Sequence, residues 1–556
     1  MEKQLVLLTI GPVGELIQSS RKMKDLAAGS FLLSHLTRCA IERIDSSDAG
    51  AKTQIIFPKM ELPSLPNRLL FTIRDSSENT KKYCESIESD LKRTWLEIVE
   101  KTFEKEKIEL TDEAKAQLSH FLSIHWTFVP YGGDYGKSYN EVVQAMHDVK
   151  NTRMFEQLPL GEGRRCSLFP AYRALYGRKR NDRFPPFASD LKEVNQPLLK
   201  EGECLSGIAM FKRLFDPSLL KLKDKGNQKS FRSVAMMLLK HANRHIGDWK
   251  RYEELEDEGS EVLHDWMNGH PIEDIYPQGV LEEFRELKNT HAGPLKKPSP
   301  YYALIKLDGD GVGSEYQKSG RFDVHERLSE SIATFANEAD KMVTEDGGIC
   351  IFAGGEDVLA FAPIDQTMPL LKKLRALFQE KIKDEAGNPF TLSAGIVFAH
   401  LMSPLAPLLE RVEELEGYAK DMPGKDAYAI EVQHRGGKQV IYRDKFEKLD
   451  TFEQLLEQLG REPFSRSYIA NLLETLNPLD DSYDSAIIHA LIRRVGHRSL
   501  EGHASDEQQE MTELILDLFN DSSSNEGKVV HLVDQLNVIA FMQKIGAVNN
   551  DETANV

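Results

Sequence analysis

Cysteine is scarce: five in 556 residues, at positions 39, 84, 166, 204 and 350, with no C-x-x-C pair. That excludes a disulfide framework, and a reducing cytoplasm is the expected setting. Long apolar runs are missing too. No stretch approaches the ~18 consecutive apolar residues of a membrane helix, so no membrane partner is expected. The run Leu5–Ile10 is too short for a signal peptide and follows acidic Glu2. What is present is a chain 40% hydrophobic and 28% charged, too apolar for disorder. At ~100–200 residues per domain, its length predicts three to five domains, each with its own core. The net charge of −18 argues against a surface coated for nucleic acid, yet it hides an asymmetry. Residues 151–250 carry 20 Lys+Arg against 10 Asp+Glu, so the rest sums to −28.

The pattern of elements repeats. Leu5–Thr9 reads as a buried strand, followed by a helical stretch from Glu15 to about Ile44, broken near Ala28-Gly29. Two strands, Ile55–Phe57 and Leu69–Ile73, flank a proline-rich connection. A charged helix over Glu78–Glu104 and a strand at Trp126–Val129 complete a β-α-β-β-α-β unit. Residues 140–293 read as a mostly helical insert, ending in a linker around Asn289–Pro300. The same order then returns: strand Tyr302–Leu307, helix Val324–Val343, strands Ile349–Ala353 and Val358–Ala362, helix Met368–Lys383 and strand Thr391–Phe398. An extra helix (Leu405–Lys420) and strand (Ala427–Val432) follow. The expected fold class is α+β: two ferredoxin-like domains, a helical insert and a helical C-terminal domain. The boundaries are 1–139, 140–293, 294–437 and 438–556.

The second unit concentrates carboxylates at two places. Asp308 and Asp310 follow an apolar strand in a glycine-rich turn with Gly309, Gly311 and Gly313. Glu356 and Asp357 sit at the tip of a tight hairpin beside Gly354 and Gly355, whose backbone freedom such a turn requires. In this topology the end of the first strand and the hairpin tip approach one another. Clustered carboxylates repel unless divalent cations neutralise them, and hard oxygen ligands describe a magnesium or manganese site. Such ions serve phosphoryl or nucleotidyl transfer. A calcium-binding EF-hand loop starting at Asp308 fails, because its fifth and twelfth positions would be Val312 and Ser319. No G-x-G-x-x-G opens a helix here, which disfavours a dinucleotide fold.

At these residues the chain resembles the large palm-domain subunit of type III CRISPR effector complexes. The resemblance lies in Leu307–Asp310, Phe352–Ala360, Ser393–His400 followed by Ser403-Pro404-Leu405, Ala419-Lys420 and Lys425-Asp426-Ala427. The N-terminal Thr9–Val13 and Ser20–Ser30 resemble the first palm of the Cmr-type (type III-B) branch. The resemblance implies a target-RNA-activated enzyme holding two ATP molecules between two palms. A ribose 3′-hydroxyl attacks an α-phosphate and expels pyrophosphate, and repetition yields cyclic oligoadenylate, a second messenger. It implies other Cmr-type subunits, guide RNA and target RNA as partners. Asp308, Glu356 and Asp357 become the expected catalytic and metal residues, joined by Asp310 as a metal ligand. Gly309, Gly354, Gly355, Ser393, Lys420, Lys425, Arg21 and Lys22 become expected nucleotide contacts.

Three departures from the family pattern set further expectations. The common hairpin tip is Gly-Gly-Asp-Asp, but here Glu356 takes one place. That leaves open a product in which AMP is joined to another small molecule, such as S-adenosylmethionine, or a catalytically silent scaffold. The first palm begins at residue 5, and the His147-Asp148 and His264-Asp265 pairs lie in the insert, so no HD-type DNase is expected. His241 and His245, four apart on one helix face, read as structural. The insert keeps only Cys166 and Cys204 of two C-x-x-C pairs, too few thiolates for a structural zinc, so none is expected.

Overall fold

The computed structural model describes residues 3–46, 52–60, 62, 64–152, 162–180, 183–188, 190–194, 198–220, 233–247, 249–252, 262–274, 276, 278–290, 295–434, 439–460, 466–499, 505–521 and 527–550. Its first sheet has the order β2-β3-β1-β4. The strands are β1 (Lys3–Gly11), β2 (Thr53–Phe57), β3 (Arg68–Arg74) and β4 (Ser123–Pro130). Every neighbouring pair is antiparallel, which is the ferredoxin-like arrangement. β1 is buried along almost its whole length, from Gln4 to Ile10, as a central strand covered on both faces must be.

A small three-stranded sheet, β5 (Tyr176–Gly177), β6 (Lys192–Glu193) and β7 (Cys204–Leu205), lies in the insert. The second large sheet has the order β13-β12-β11-β8-β10-β9. It comprises β8 (Tyr301–Asp310), β9 (Ile349–Gly354), β10 (Asp357–Ala362), β11 (Thr391–His400), β12 (Ala427–Gln433) and β13 (Gln439–Lys445). Within it, β11-β8-β10-β9 repeats the order of the first sheet.

Side-chain alternation along β8 sorts the two faces of this second sheet. Ala303, Ile305 and Leu307 join the large core with helices Phe322–Glu345 and Thr367–Lys381. Tyr302 and Leu304 join a second core beneath helix Leu405–Lys420. Continuing that alternation puts Lys306, Asp308 and Asp310 on the face covered by helix Leu405–Lys420. The large core runs on without a break through the first palm, the second palm and the C-terminal helices. At roughly 1.5–3 kcal/mol per fully buried large apolar side chain, this shared core holds the palms against each other. No helix among the described residues is long and apolar enough to cross a membrane.

Both expected β-α-β-β-α-β units are present, with several corrections of detail. The N-terminal helical stretch breaks at Ser19–Lys22, between helices Val13–Gln18 and Met23–Ser46, and not at Ala28-Gly29. Gly29 lies inside the second helix, where only glycine fits because a Cβ would stand 2.6 Å from the Leu16 carbonyl oxygen. Asp308, Gly309 and Asp310 belong to the strand and not to a turn: they pair with Ser393, Leu392 and Thr391. Residue 437 is not the end of the second sheet, since β13 pairs along the whole of β12. The insert is not simply helical either. Its residues 162–206 carry the small sheet, and helix Gly207–Leu214 is wholly buried against the first palm.

Candidate active site at the end of the second sheet

The hairpin turn between β9 and β10 is only Gly355-Glu356, with Gly354 paired to Asp357. Gly355 takes a φ of 71°, the left-handed region that glycine enters without steric cost. Gly354 is required for a different reason: a Cβ would lie 2.5 Å from the Ser64 carbonyl of the first palm. Gly309 is likewise enclosed, by Phe378 and the Glu356 side chain. These three glycines shape the site by letting backbone and side chains approach.

The register pairing Val358 with Leu307 sets Asp357 opposite Asp308 on the neighbouring strand. Their face is the one covered by helix Leu405–Lys420. From that helix the Lys420 ammonium bonds Asp308 Oδ2 and lies 2.6 Å from Glu416 Oε1. Lys306, also on β8, sits 3.5 Å from Glu413 and 3.7 Å from Glu416. Burial pushes the Asp357 carboxyl up to about 7; Glu356, Glu416 and Glu413 reinforce the rise and Lys306 opposes it. Burial, with Lys425 and Lys306 nearby, pulls Lys420 down to about 8.

The two hairpin acids have different surroundings. Asp357 feels Lys306, Glu416 and Glu413, whereas Glu356 feels Arg68 and in turn raises Tyr139 and Tyr316. Arg68 and Tyr139 belong to the first palm and its following helix, so Glu356 borders the seam between the palms. Burial raises the Glu356 carboxyl as well. Close by in that seam, Tyr135 and His325 form a 2.5 Å hydrogen bond between the two halves.

Asp310 departs from the expected metal set. Its carboxylate accepts hydrogen bonds from Thr391 Oγ1 at 2.8 Å, Ser393 Oγ at 3.0 Å and the Asp426 backbone N–H at 3.1 Å. Three donors satisfy a buried carboxylate, so Asp310 ties β8 to β11 and to the loop before β12. Ser393 is fully buried and donates its hydroxyl to Asp310. The loop that Asp310 anchors is unusual. Gly424, Lys425 and Asp426 all have positive φ, at 78°, 53° and 50°, and Arg375 clamps Asp426 at 2.8 and 2.6 Å. Two consecutive non-glycine residues in this region are strained, and the clamp holds them there. Lys425 is thereby displayed, exposed, near Lys420.

The Arg21 guanidinium is drawn elsewhere, to Glu203 at 3.1 Å, and the backbone N–H groups of Arg21 and Lys22 donate to Asp25, at 3.2 and 3.1 Å. Asp25 is itself clamped by Arg213, at 2.7 and 2.9 Å. Arg21 thus joins a buried charge network that seats helix Gly207–Leu214 on the first palm. The other singled-out groups also have local roles. His241 bonds Asp365 at 2.8 Å, fastening the insert to the second palm. Asp265 accepts from His270 and Tyr276, and His147 with Asp148 forms only an exposed 3.9 Å pair. Cys166 Sγ accepts the N–H groups of Leu168 and Phe169, and Ser167 N–H bonds the Cys204 carbonyl.

The donor chemistry fits a small divalent cation held by two protein carboxylates, Asp308 and Asp357, on adjacent strands. Magnesium is commonly bound through one or two carboxylates, with waters and substrate phosphates completing the shell. Among the described residues no group of three or more His, Cys, Asp or Glu side chains gathers into a complete site. Glu413, Glu416 and Lys306 escaped the sequence reading. For the two glutamates the only signal was the i, i+3, i+7 spacing of Glu413, Glu416 and Lys420 on one helix face.

A doubled ferredoxin-like sheet with acids at the end of one central strand and at its hairpin tip defines a palm-domain protein of the nucleotidyl-transfer type. Comparison with known proteins agrees. Residues 301–429 match the family model for the second palm domain of Cas10/Cmr2, and residues 5–100 match that for the Cmr2 N-terminal region. The CRISPR system Cmr subunit Cmr2 of Pyrococcus furiosus is 24% identical, over 92% of this chain and 70% of that protein. Among solved structures, a type III-B Cmr-beta complex in its apo state aligns with a TM-score of 0.65 at 13% identity, over 97% of this chain and 82% of the other. The same type of complex bound to cognate target RNA gives 0.64 at 14%, over 98% and 83%. Over these residues the chain carries a second palm domain of the Cas10/Cmr2 kind and an N-terminal region of the Cmr2 kind, and its fold is that of the large palm subunit in type III-B complexes.

Proposed function

We propose that the chain is the nucleotidyl-transfer subunit of an RNA-guided type III complex, joining ATP into cyclic oligoadenylate when target RNA binds. The observation that carries this is the juxtaposition of Asp308 and Asp357 on neighbouring strands beneath a lysine-bearing helix. Asp308 and Asp357 would hold Mg²⁺ or Mn²⁺, which when bound supplies Lewis-acid activation of the attacking 3′-hydroxyl and neutralises the pyrophosphate leaving group. Lys425, displayed by the clamped loop, and Lys420, once it leaves Asp308, offer ammonium groups to a triphosphate. The second nucleotide would face the first across the seam between the palms. Positioning and charge suffice for this chemistry; no protein nucleophile is required. Guide RNA, target RNA and sibling Cmr-type subunits would complete the assembly, in keeping with the similar type III-B Cmr-beta complex that binds cognate target RNA.

The test is to incubate the assembled complex with ATP, Mg²⁺ and complementary target RNA and to identify the products by mass spectrometry. Cyclic oligoadenylates with pyrophosphate release support the reading. Their absence favours a scaffold, and products that require an added metabolite favour conjugation of AMP.

A further inference from the structure

The sequence reading placed Lys420 at the triphosphate, yet its ammonium sits on Asp308 Oδ2, an oxygen that the metal reading needs. An ammonium on that oxygen repels an incoming divalent cation and competes with it for the carboxylate. Entry of the cation therefore favours displacement of Lys420, and the place it can go is already built. Glu416 lies one turn back on the same helix, with Oε1 already 2.6 Å from the Lys420 ammonium. Its side chain is 9% exposed.

The helix carrying Glu416 is closely seated. It rests on Gly395 of β11, where a Cβ would stand 2.2 Å from the Val412 carbonyl and 2.5 Å from Glu416 N. Lys306 braces the same carboxylate from β8, 3.7 Å from Glu416 Oε2, and also reaches Glu413 Oε1. Glu413 Oε2 in turn accepts a 3.0 Å hydrogen bond from Gln18 of the first palm. The acceptor's helix is packed on β11 and its carboxylate is braced by Lys306, while the lysine has a flexible four-carbon stem.

We propose that Glu416 is the seat onto which Lys420 withdraws when a divalent cation takes Asp308. It is a positioning residue and not a ligand, and the inference rests on the metal-dependent reading above. The Lys420–Asp308 pair keeps the empty site neutralised, and the Lys420–Glu416 pair holds the same ammonium ready beside the filled one.

The test is Mn²⁺ titration of the intact chain without nucleotide, with the free ion followed by electron paramagnetic resonance. Glu416→Gln should weaken Mn²⁺ binding about tenfold, in the range typical for partners of metal ligands. Lys420→Met should tighten binding. Glu416→Asp, which keeps the charge, should recover most of the Glu416→Gln loss. In the Lys420→Met background, Glu416→Gln should have no further effect, because its partner is gone. A Glu416→Gln loss that persists in that background would mean Glu416 acts on the ion itself, and would overturn the proposal. Weaker Mn²⁺ binding by Lys420→Met would overturn it too. A wild-type chain that binds no Mn²⁺, and is matched by Asp308→Asn, would remove the metal reading and this inference with it.

Discussion

The two palms have one topology and different ends. In the first, β1 finishes at Thr9-Ile10-Gly11, and β2 and β3 are joined by the ten residues from Pro58 to Asn67. In the second, the equivalent strand finishes at Asp308-Gly309-Asp310, and β9 and β10 are joined by Gly355-Glu356 alone. The long connection of the first palm is not idle: its Ser64 carbonyl abuts Gly354 at the base of the second hairpin. One copy of the fold carries the acids, and the other supplies the wall against which they are set. The two sheets share one strand order, but only in the second does a two-residue turn set one carboxylate, Asp357, opposite another, Asp308.

The strongest way to break this asymmetry is Asp357→Asn. It should cut product formation by at least ~100-fold, as expected for removal of a group that stabilises developing charge, while complex assembly measured by size-exclusion chromatography stays intact. Asp310→Ala should come next. It strands the buried Thr391 and Ser393 hydroxyls and the Asp426 N–H, at a cost of roughly 1–3 kcal/mol for each unsatisfied group. Its melting temperature and its activity should both fall, whereas Ser393→Ala, which leaves Asp310 two other donors, should lose only about 1 kcal/mol.

Gly354→Val tests the wall. The clash with Ser64 should cost about 1–3 kcal/mol, typical of overpacking, with a lowered melting temperature and reduced turnover. A smaller effect separates the palms by pH. The folded Asp357 carboxyl titrates at about 7, above its ordinary 3.8, so the folded state binds the extra proton. Its contribution to stability is complete below pH 3.8 and is lost as pH rises through 7. Without divalent cations, Asp357→Asn should therefore raise the melting temperature at pH 8 and leave it nearly unchanged near pH 4. Arg21→Ala in the first palm should do least. It loses a half-exposed pair with Glu203, worth at most ~1 kcal/mol, and the KM for ATP should stay within about twofold of wild type, since a lost rim pair is worth little.

Much of the fold was legible because it is written in local pattern. Runs such as Leu304-Ile305 and Val358–Ala362, punctuated by Gly354-Gly355, mark strands and their hairpin without reference to anything distant. Helix Val312–Ser319 was missed because its glycines and polar residues read as a loop. β13 was missed because Gln439–Lys445 alternates polar and apolar residues weakly and gains its identity only by pairing with β12. At the site, Asp308 and Asp357 were identifiable from motif and spacing. The separation of Glu356 toward Arg68, the burial of Ser393 and the diversion of Arg21 to Glu203 were not, because each depends on a residue far away in the chain.

By itself the sequence determined the palm topology, its duplication and the presence of acids at a strand end and a hairpin tip. Those features follow from apolar periodicity and from glycine, which act over a few residues. Only the tertiary structure decided which acids share a face. Asp308 and Asp357 meet through strand register, Asp310 turns to Thr391, Ser393 and the Asp426 loop, and Glu356 borders the first palm. The reason is that a carboxylate's role is set by the donors and charges around it, and in a buried cleft those come from elements packed together from across the chain.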